Sequence, residues 1–359
     1  MPAAQEYIYA ASTLLPFIVC LVWLAIYICR FSRATEPQRF LTLFAAVCTA
    51  LYFCHSWFFT AETPGTYSWI DGLYYFCNLS VYPLFFLYIR MLTRDESPLT
   101  GLIVVFSIAT GLAIAVVTAR GASAIMLAIK LVFALEVVLV LVFGLRDLAR
   151  FDRDIHNYYA DTEEKTLRRV SALLICFTAL SIISSIANVI GREAFHQSLL
   201  LAIPSVAFSA MLFALFYVGD GIRFYARDFH REVPAEAPAP EPSAQEDTAL
   251  EARISALMDS DRLYLKPGLK ISDVAEAVGS NRTYVSAAIN RTSGMSFSDY
   301  VNRRRVEEAK RLLLLEQDPA ISEVAEKAGF ASFPSFYRAF VKFTKKSPSE
   351  WQRAHFRTK

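Results

Sequence analysis

The sequence predicts an all-α protein, with a polytopic bundle of seven transmembrane helices followed by a soluble domain that contains two helix-turn-helix segments. Composition supports the first part, because 55% of the 359 residues are hydrophobic and only 19% are charged, whereas soluble proteins have about 45–50% and about 25%. The apolar excess lies almost entirely in the first two thirds of the chain. A repeat in the last third predicts the second part. We therefore expect two domains of different solvent class.

Each predicted span is a run of mainly apolar residues that matches the roughly 20 residues an α-helix needs to cross a hydrocarbon core about 30 Å thick. The seven runs are Ile8–Ile28, Phe40–Thr60, Trp69–Ile89, Leu99–Thr118, Ala124–Leu145, Val170–Ile190 and Leu199–Gly219. The first run does not resemble a cleavable signal peptide, because no Lys or Arg precedes it and it is too long for the apolar region of such a peptide.

Basic residues predict the orientation of the spans. The loops on one side of the membrane hold 14 Lys and Arg, whereas the opposite loops hold only Arg120 and Arg192. Short cytoplasmic loops carry the excess of Lys and Arg in membrane proteins. We therefore expect a multi-pass protein of the cytoplasmic membrane, with its N-terminus outside and its C-terminal domain in the cytoplasm.

Polar residues within the spans concentrate in the outer half and the middle of the membrane. Ionisable residues at such depths are costly and usually functional, so we predict a ligand pocket that opens outward. Its candidate residues are His55, Asn78, Lys130, Glu136, Ser184 and Asn188. The alternative is that Ser and Asn form hydrogen bonds between helices, while Lys130 extends its ammonium group to the interface. The ligand would be a small molecule or a molecule derived from the membrane, and the sequence does not identify it.

The stretch "EVPAEAPAPEPSAQED", Glu232 to Asp247, is rich in Pro, Ala and acidic residues. Such a composition cannot bury a core, and it predicts an extended spacer. We accordingly place a membrane domain at residues 1–222, a juxtamembrane segment and linker at 223–249, and the C-terminal domain at 250–359.

The C-terminal domain contains two similar segments fifty residues apart. "ISDVAEAVGSN" at Ile271 aligns with "ISEVAEKAGFA" at Ile321, and "GMSFSDY" at Gly294 aligns with "KKSPSEW" at Lys345. Each copy predicts a short helix, a turn at a glycine and a second helix, which is helix-turn-helix spacing. The stretch "SDYVNRRRVEEAKRLLLLEQD" between them predicts one long helix.

These motifs resemble the double helix-turn-helix DNA-binding domain of the AraC/XylS family of bacterial transcription regulators. The similarity covers about Leu250 to Arg353, and length, order and both copies agree. The excess of 19 Lys and Arg over 13 Asp and Glu after residue 247 suits a polyanionic partner. One position departs from the family, because Lys345 stands where a glycine usually ends the second helix. We expect the turn there to be strained or reshaped.

The resemblance implies two recognition helices, capped by Asn281 and Ser332, that enter successive major grooves about 34 Å apart. The residues expected to face these grooves are Arg282, Thr283, Ser286, Ala287, Asn290, Phe333, Pro334, Tyr337 and Arg338, while Arg291, Lys342 and Lys346 suit phosphates. The residues expected to face the core are Val285, Ala288, Ile289, Phe336 and Phe340. The alternative for each groove residue is a solvated surface side chain. Arg303, Arg304 and Arg305 spread over about 200° of a helix, so they cannot all face DNA, and we expect at least one to pair with Glu307 or Glu308.

The sequence thus predicts a membrane-anchored, one-component transcription regulator that binds double-stranded DNA under control of a signal sensed in the membrane. Its expected partners are membrane lipid, a second copy of the chain and the ligand, with RNA polymerase a further candidate. No cofactor, metal site or enzymatic activity is predicted, because the chain lacks catalytic and metal-binding motifs. The alternative is a transporter or channel with a regulatory helix-turn-helix appendage. The sequence does not separate an activator from a repressor.

Overall fold

The computed structural model describes residues 3–60, 69–119, 122–190, 202–233, 244–315 and 319–356. Throughout these residues the protein is helical, apart from loops and one isolated antiparallel bridge between Tyr159 and Lys270. The predicted all-α class is therefore confirmed. Contacts divide the chain into an N-terminal unit, residues 1–149 with 167–233, and a C-terminal unit, residues 150–166 with 234–359.

Among the described residues, seven long α-helices and one short α-helix begin in the N-terminal unit. They are α1 (Ala3–Arg30), α2 (Glu36–Thr60), α3 (Trp69–Thr93), α4 (Leu99–Thr118), α5 (Ser123–Tyr158), α6 (Arg168–Ile190), α7 (Ala202–Asp220) and α8 (Ala226–Glu232). Helix α5 extends beyond the fifth predicted span, and its last turns belong to the C-terminal unit.

Six of these helices, α1 to α5 and α7, are long and apolar enough within the described residues to cross a membrane. Helix α6 coincides with the sixth predicted span, but its side chains from residue 184 onward lie outside the described ones. The structure therefore supports six candidate spans, and the seventh stays a prediction.

Aromatic side chains form much of the interior of the N-terminal unit. The ring of Phe44 on α2 lies 6.0 Å from the rings of both Phe85 on α3 and Phe216 on α7, and all three are buried. The outward sides are apolar as well, and Ile103 and Leu131 are more than half exposed. Exposed apolar surface on this scale is unusual in a soluble protein, and it is compatible with membrane association.

The described part of the C-terminal unit contains seven further α-helices. They are α9 (Ala244–Ser260), α10 (Ile271–Ala277), α11 (Arg282–Ser293), α12 (Phe297–Leu315), α13 (Ile321–Lys327), α14 (Phe333–Thr344) and α15 (Pro348–Phe356). Glu232 and residues 244–247 are helical rather than extended, so the expectation of an extended linker is wrong at both of its ends. Glu246 and Asp247 lie in the first turn of α9, where negative charge favours a helix N-terminus.

Helix α12 is the centre of the C-terminal unit, since it packs against α11, α13, α14 and α15. Its residues Val306, Ala309 and Leu313 are completely buried and belong to one core cluster with Phe336 and Phe340 of α14. This cluster joins the second helix-turn-helix segment to α12, and the other end of α12 carries the first segment.

Candidate nucleic-acid interface

The first helix-turn-helix segment consists of α10 and α11. Gly279 in the turn has φ of +62°, a conformation that residues with a Cβ rarely adopt. The Asn281 side chain accepts a 2.8 Å hydrogen bond from the amide of Tyr284, which confirms the predicted N-cap. Val285 and Ile289 are completely buried, as expected for the inner face of α11.

The predicted groove residues lie on the other side of α11. Thr283 is exposed, and Arg282, Ser286, Ala287 and Asn290 are half-buried. The amide of Asn290 donates a 3.3 Å hydrogen bond to the Ser286 hydroxyl. These two predicted base-contacting residues therefore hold each other along one face of the helix.

The second segment consists of α13 and α14. A Cβ on Gly329 would lie 2.7 Å from backbone atoms of Leu265, so this position requires glycine. Ser332 caps α14 by accepting a 3.3 Å hydrogen bond from the Ser335 amide, as predicted. Phe336 and Phe340 are completely buried, which confirms the inner face of this helix.

The outer face of α14 is aromatic and basic. Phe333 is 46% exposed and Tyr337 is 43% exposed, and Pro334, Arg338 and Lys342 are exposed as well. Exposed aromatic rings beside cationic groups are suited to contacts with sugars, methyl groups and phosphates of DNA.

Three of the predicted DNA contacts form ion pairs with acidic residues in the structure. The Arg291 guanidinium lies 2.7 Å from Asp247 of α9, and the Lys342 ammonium lies 2.6 Å from Asp299 of α12. The guanidinium of Arg338 lies 2.7 Å from Glu163. None of these acidic partners followed from the helix-turn-helix pattern, although the run "DTEE" at residues 161–164 is an acidic signal.

Lys345 ends α14 in the left-handed conformation, with φ of +61°. Its amide donates to the Val341 carbonyl at 2.9 Å, just as the Gly294 amide donates to Asn290 at 3.0 Å after α11. The turn is therefore strained and not reshaped, because it keeps the geometry of the glycine turn with a side chain present. The neighbouring Lys346 is exposed.

The three consecutive arginines of α12 have different surroundings. Arg303 is exposed, Arg304 lies over the ring of Tyr300 at 4.1 Å, and Arg305 is completely buried. The expected pairing with Glu307 or Glu308 is wrong, because Glu307 pairs with Lys310 and Glu308 pairs with Arg262 and Arg311. The arginine run is therefore not a DNA-facing patch.

Arg305 is held by four oxygen atoms. It donates to the carbonyls of Tyr264 at 2.6 Å and Lys266 at 2.9 Å, to Asp161 at 2.8 Å and to Asn302 at 3.4 Å. Burial lowers the pKa of this guanidinium, and the Asp161 carboxylate opposes that shift. Arg305 therefore has a structural role at the junction of α12 and two loops.

The predicted ligand residues of the N-terminal unit fall into two groups. The ring of His55 on α2 lies 5.1 Å from that of Tyr74 on α3, whose hydroxyl accepts a 3.3 Å hydrogen bond from Asn78, so His55 and Asn78 share Tyr74 as a neighbour. On α5, Lys130 is exposed, and the buried Oε2 of Glu136 has no hydrogen-bond partner among the described residues.

Ser184 and Asn188 lie outside the residues whose side chains are described. A groove of about 400 Å³ between α3 and α4 has an apolar lining of residues 72, 73, 76, 110, 113, 114, 117 and 118, which includes none of the predicted ligand residues. In the described part of the chain, no group of three or more His, Cys, Asp or Glu could hold a metal ion.

Comparisons with known proteins concern the C-terminal domain. A family model described as a helix-turn-helix domain matches residues 262–354. The uncharacterized HTH-type transcriptional regulator YijO of Escherichia coli is 34% identical over 108 residues, which are 29% of this chain and 38% of YijO. An uncharacterized HTH-type transcriptional regulator of Staphylococcus aureus is 30% identical over 100 residues, 28% of this chain and 13% of its own.

The uncharacterized transcriptional regulatory protein YesN of Bacillus subtilis is 35% identical over 74 residues, 20% of each chain. A solved structure of a protein of unknown function from Listeria innocua is 26% identical and covers 29% of this chain and 95% of its own, with a TM-score of 0.26. The chain thus spans well under half the length of these curated relatives. Its C-terminal part is a helix-turn-helix domain.

Proposed function

We propose that the protein is a membrane-anchored transcription regulator of bacteria, whose C-terminal domain binds specific double-stranded DNA under control of its N-terminal unit. The observation that carries this proposal is the coexistence, in one chain, of a helix-turn-helix domain and, among the described residues, six helices that are long and apolar enough to cross a membrane. A DNA-binding domain tied to the membrane can transmit a signal without a separate kinase.

The chemistry of the two recognition helices supports DNA binding. Arg282, Asn290 and Arg338 carry the donors that best match base edges in the major groove, since Arg pairs with guanine and Asn with adenine. Arg291, Lys342 and Lys346 would contact phosphates, which position a protein without reading sequence.

The membrane half of the proposal rests on charge and on polar residues in the spans. The excess of basic residues in alternate loops favours an outside N-terminus and a cytoplasmic DNA-binding domain. His55, Asn78, Lys130, Glu136, Ser184 and Asn188 are the residues that we assign to ligand sensing. Pairing of two chains in the membrane would raise the local concentration of two DNA-binding domains and so their joint affinity.

Selection of binding sites from random DNA, with the full chain in lipid nanodiscs, tests this function. We expect enrichment of a site with two half-sites about one helical turn apart. Arg338→Ala should weaken binding to the enriched site. Lys310→Ala is the control, because it also removes one positive charge but at a position to which we assign no DNA contact. Solute flux into proteoliposomes, together with no enriched site, would instead support the transporter alternative.

A further inference from the structure

The segment of residues 159–163, which directly follows α5, lies against the helix-turn-helix domain within the C-terminal unit. We call it the docking segment. The amide of Ala160 donates to the carbonyl of Leu269 at 3.0 Å. The carbonyl of Ala160 accepts from Ser298 at 2.9 Å and from Asn302 at 3.2 Å. Both polar groups of this backbone position are thus satisfied by residues more than 100 positions away.

Asp161 anchors the docking segment by charge. One carboxylate oxygen lies 2.8 Å from the completely buried guanidinium of Arg305, and the other accepts from the amide of Gly268 at 2.8 Å. The carbonyls of Tyr264 and Lys266 also bind this guanidinium but carry no charge. A buried cation requires a negative partner, and the docking segment supplies one.

Glu163 reaches the second recognition helix from the same segment. One oxygen of its carboxylate lies 2.7 Å from the guanidinium of Arg338, and the other accepts a 2.6 Å hydrogen bond from the Ser332 hydroxyl at the start of α14. A guanidinium that binds a carboxylate in this way is less available to guanine or phosphate. The carboxylate also places a negative charge where DNA phosphates would approach.

We propose that the docking segment is an intramolecular inhibitor of DNA binding, and that Glu163 and DNA compete for Arg338. This inference rests on the proposed DNA-binding function. Helix α5 ends at Tyr158 and α6 begins at Arg168, so the docking segment is part of the connection between two helices that each contain a predicted span. A signal that moves either helix reaches Glu163 through a few residues of backbone.

A matched pair of variants tests the competition. Glu163→Gln removes the charge that faces Arg338, and Glu164→Gln removes the same charge one residue further on, where the side chain is exposed. The affinity of each full-length variant in nanodiscs for the selected DNA site is compared at one salt concentration. We expect Glu163→Gln to bind about fivefold more tightly than the wild type, a modest allosteric coupling, and Glu164→Gln to bind with nearly the wild-type affinity.

Hydrogen exchange of the full chain provides the second measurement. The amides of Ala160 and Gly268, which donate the hydrogen bonds described above, should exchange faster when the selected DNA is added, because Arg338 then leaves Glu163. If the two Gln variants bind DNA equally and exchange in residues 159–163 does not change on DNA binding, the inhibitor proposal is wrong while the proposed function stands. If the wild type and both variants lack sequence-selective binding, the proposed function itself fails and the inhibitor proposal fails with it.

Discussion

Replacing Asp161 by Asn removes the carboxylate that lies 2.8 Å from the guanidinium of Arg305, a side chain with no exposed surface. The side-chain amide of the new residue has one acceptor oxygen where the carboxylate has two, and it carries no charge. The amide of Gly268 would then compete with Arg305 for that one acceptor. The expected result is a less stable C-terminal unit with an uncompensated buried charge.

The magnitude follows from the surroundings of the pair. Breaking a buried ion pair by removing one partner costs about 3–5 kcal/mol. Asp161 is 15% exposed, and three neutral oxygens continue to accept from Arg305, so the lower end of that range applies. We expect the free energy of opening of α12 to fall by about 3 kcal/mol, which corresponds to a roughly 100-fold increase in its opening equilibrium constant.

Native-state hydrogen exchange, followed by mass spectrometry of peptides from α12, measures this change in the full chain. Asp259→Asn is the matched control, because Asp259 is 74% exposed and lies 4.0 Å from Arg304. Exposed pairs contribute at most about 1 kcal/mol. Equal exchange in the two variants would refute the argument that Asp161 compensates a buried charge. In the double variant Asp161→Ala with Arg305→Met, removal of both charges should restore most of the lost stability.

Three further outcomes are expected. Lys345→Gly should stabilise the C-terminal unit by about 1 kcal/mol, because it removes a Cβ from a left-handed position, and calorimetry should show a melting temperature about 4–8 °C higher. A hydrogen bond from Arg311 holds the pKa of Glu308 below its usual range. This carboxylate therefore contributes stability at pH values above its unfolded pKa of about 4.3, and that contribution is lost as the pH falls through the folded pKa. In Glu308→Gln the melting temperature should consequently fall less steeply as the pH is lowered. Arg338→Ala should weaken binding to the selected site by about 1–3 kcal/mol and make the protein less selective for its sequence. Lys342→Ala should weaken binding to all DNA sequences alike and reduce by about 1 the slope of log affinity against log salt concentration. Fluorescence anisotropy measures both affinities.

The first of these outcomes has a matched control, and each has a contradicting result. Lys346→Gly alters an exposed lysine next to Lys345, so an equal gain in both variants would mean that backbone strain is not the cause. If the melting temperature of Glu308→Gln falls at acid pH as steeply as that of the wild type, the pKa of Glu308 is not lowered by its two arginine partners. Equal losses on specific and random DNA for Arg338→Ala would assign this residue to phosphate instead of a base.

Local patterns in the sequence were enough to predict the helix-turn-helix segments. The caps at Asn281 and Ser332 and the buried faces of α11 and α14 depend on residues within a few positions of one another. The unusual turn at Lys345 follows instead from the resemblance to the AraC/XylS family, in which a glycine usually stands there. Hydrophobic spacing and capping preferences act over the same short range. The same is true of the six apolar helices, because length and composition decide whether a helix can cross a membrane.

Tertiary structure alone decided the surroundings of Arg305 and the partners of the predicted DNA contacts. The run Arg303 to Arg305 is uniform in sequence, and only packing of α12 against two loops buries the third of these side chains. Asp161 and Glu163 precede their arginine partners by more than 140 positions. Such pairs form only where folding brings distant segments of the chain together, and the spacing of residues within one helix does not specify those places. The sequence by itself therefore determined what the helices are, and the tertiary structure decided which of their charges are available to DNA.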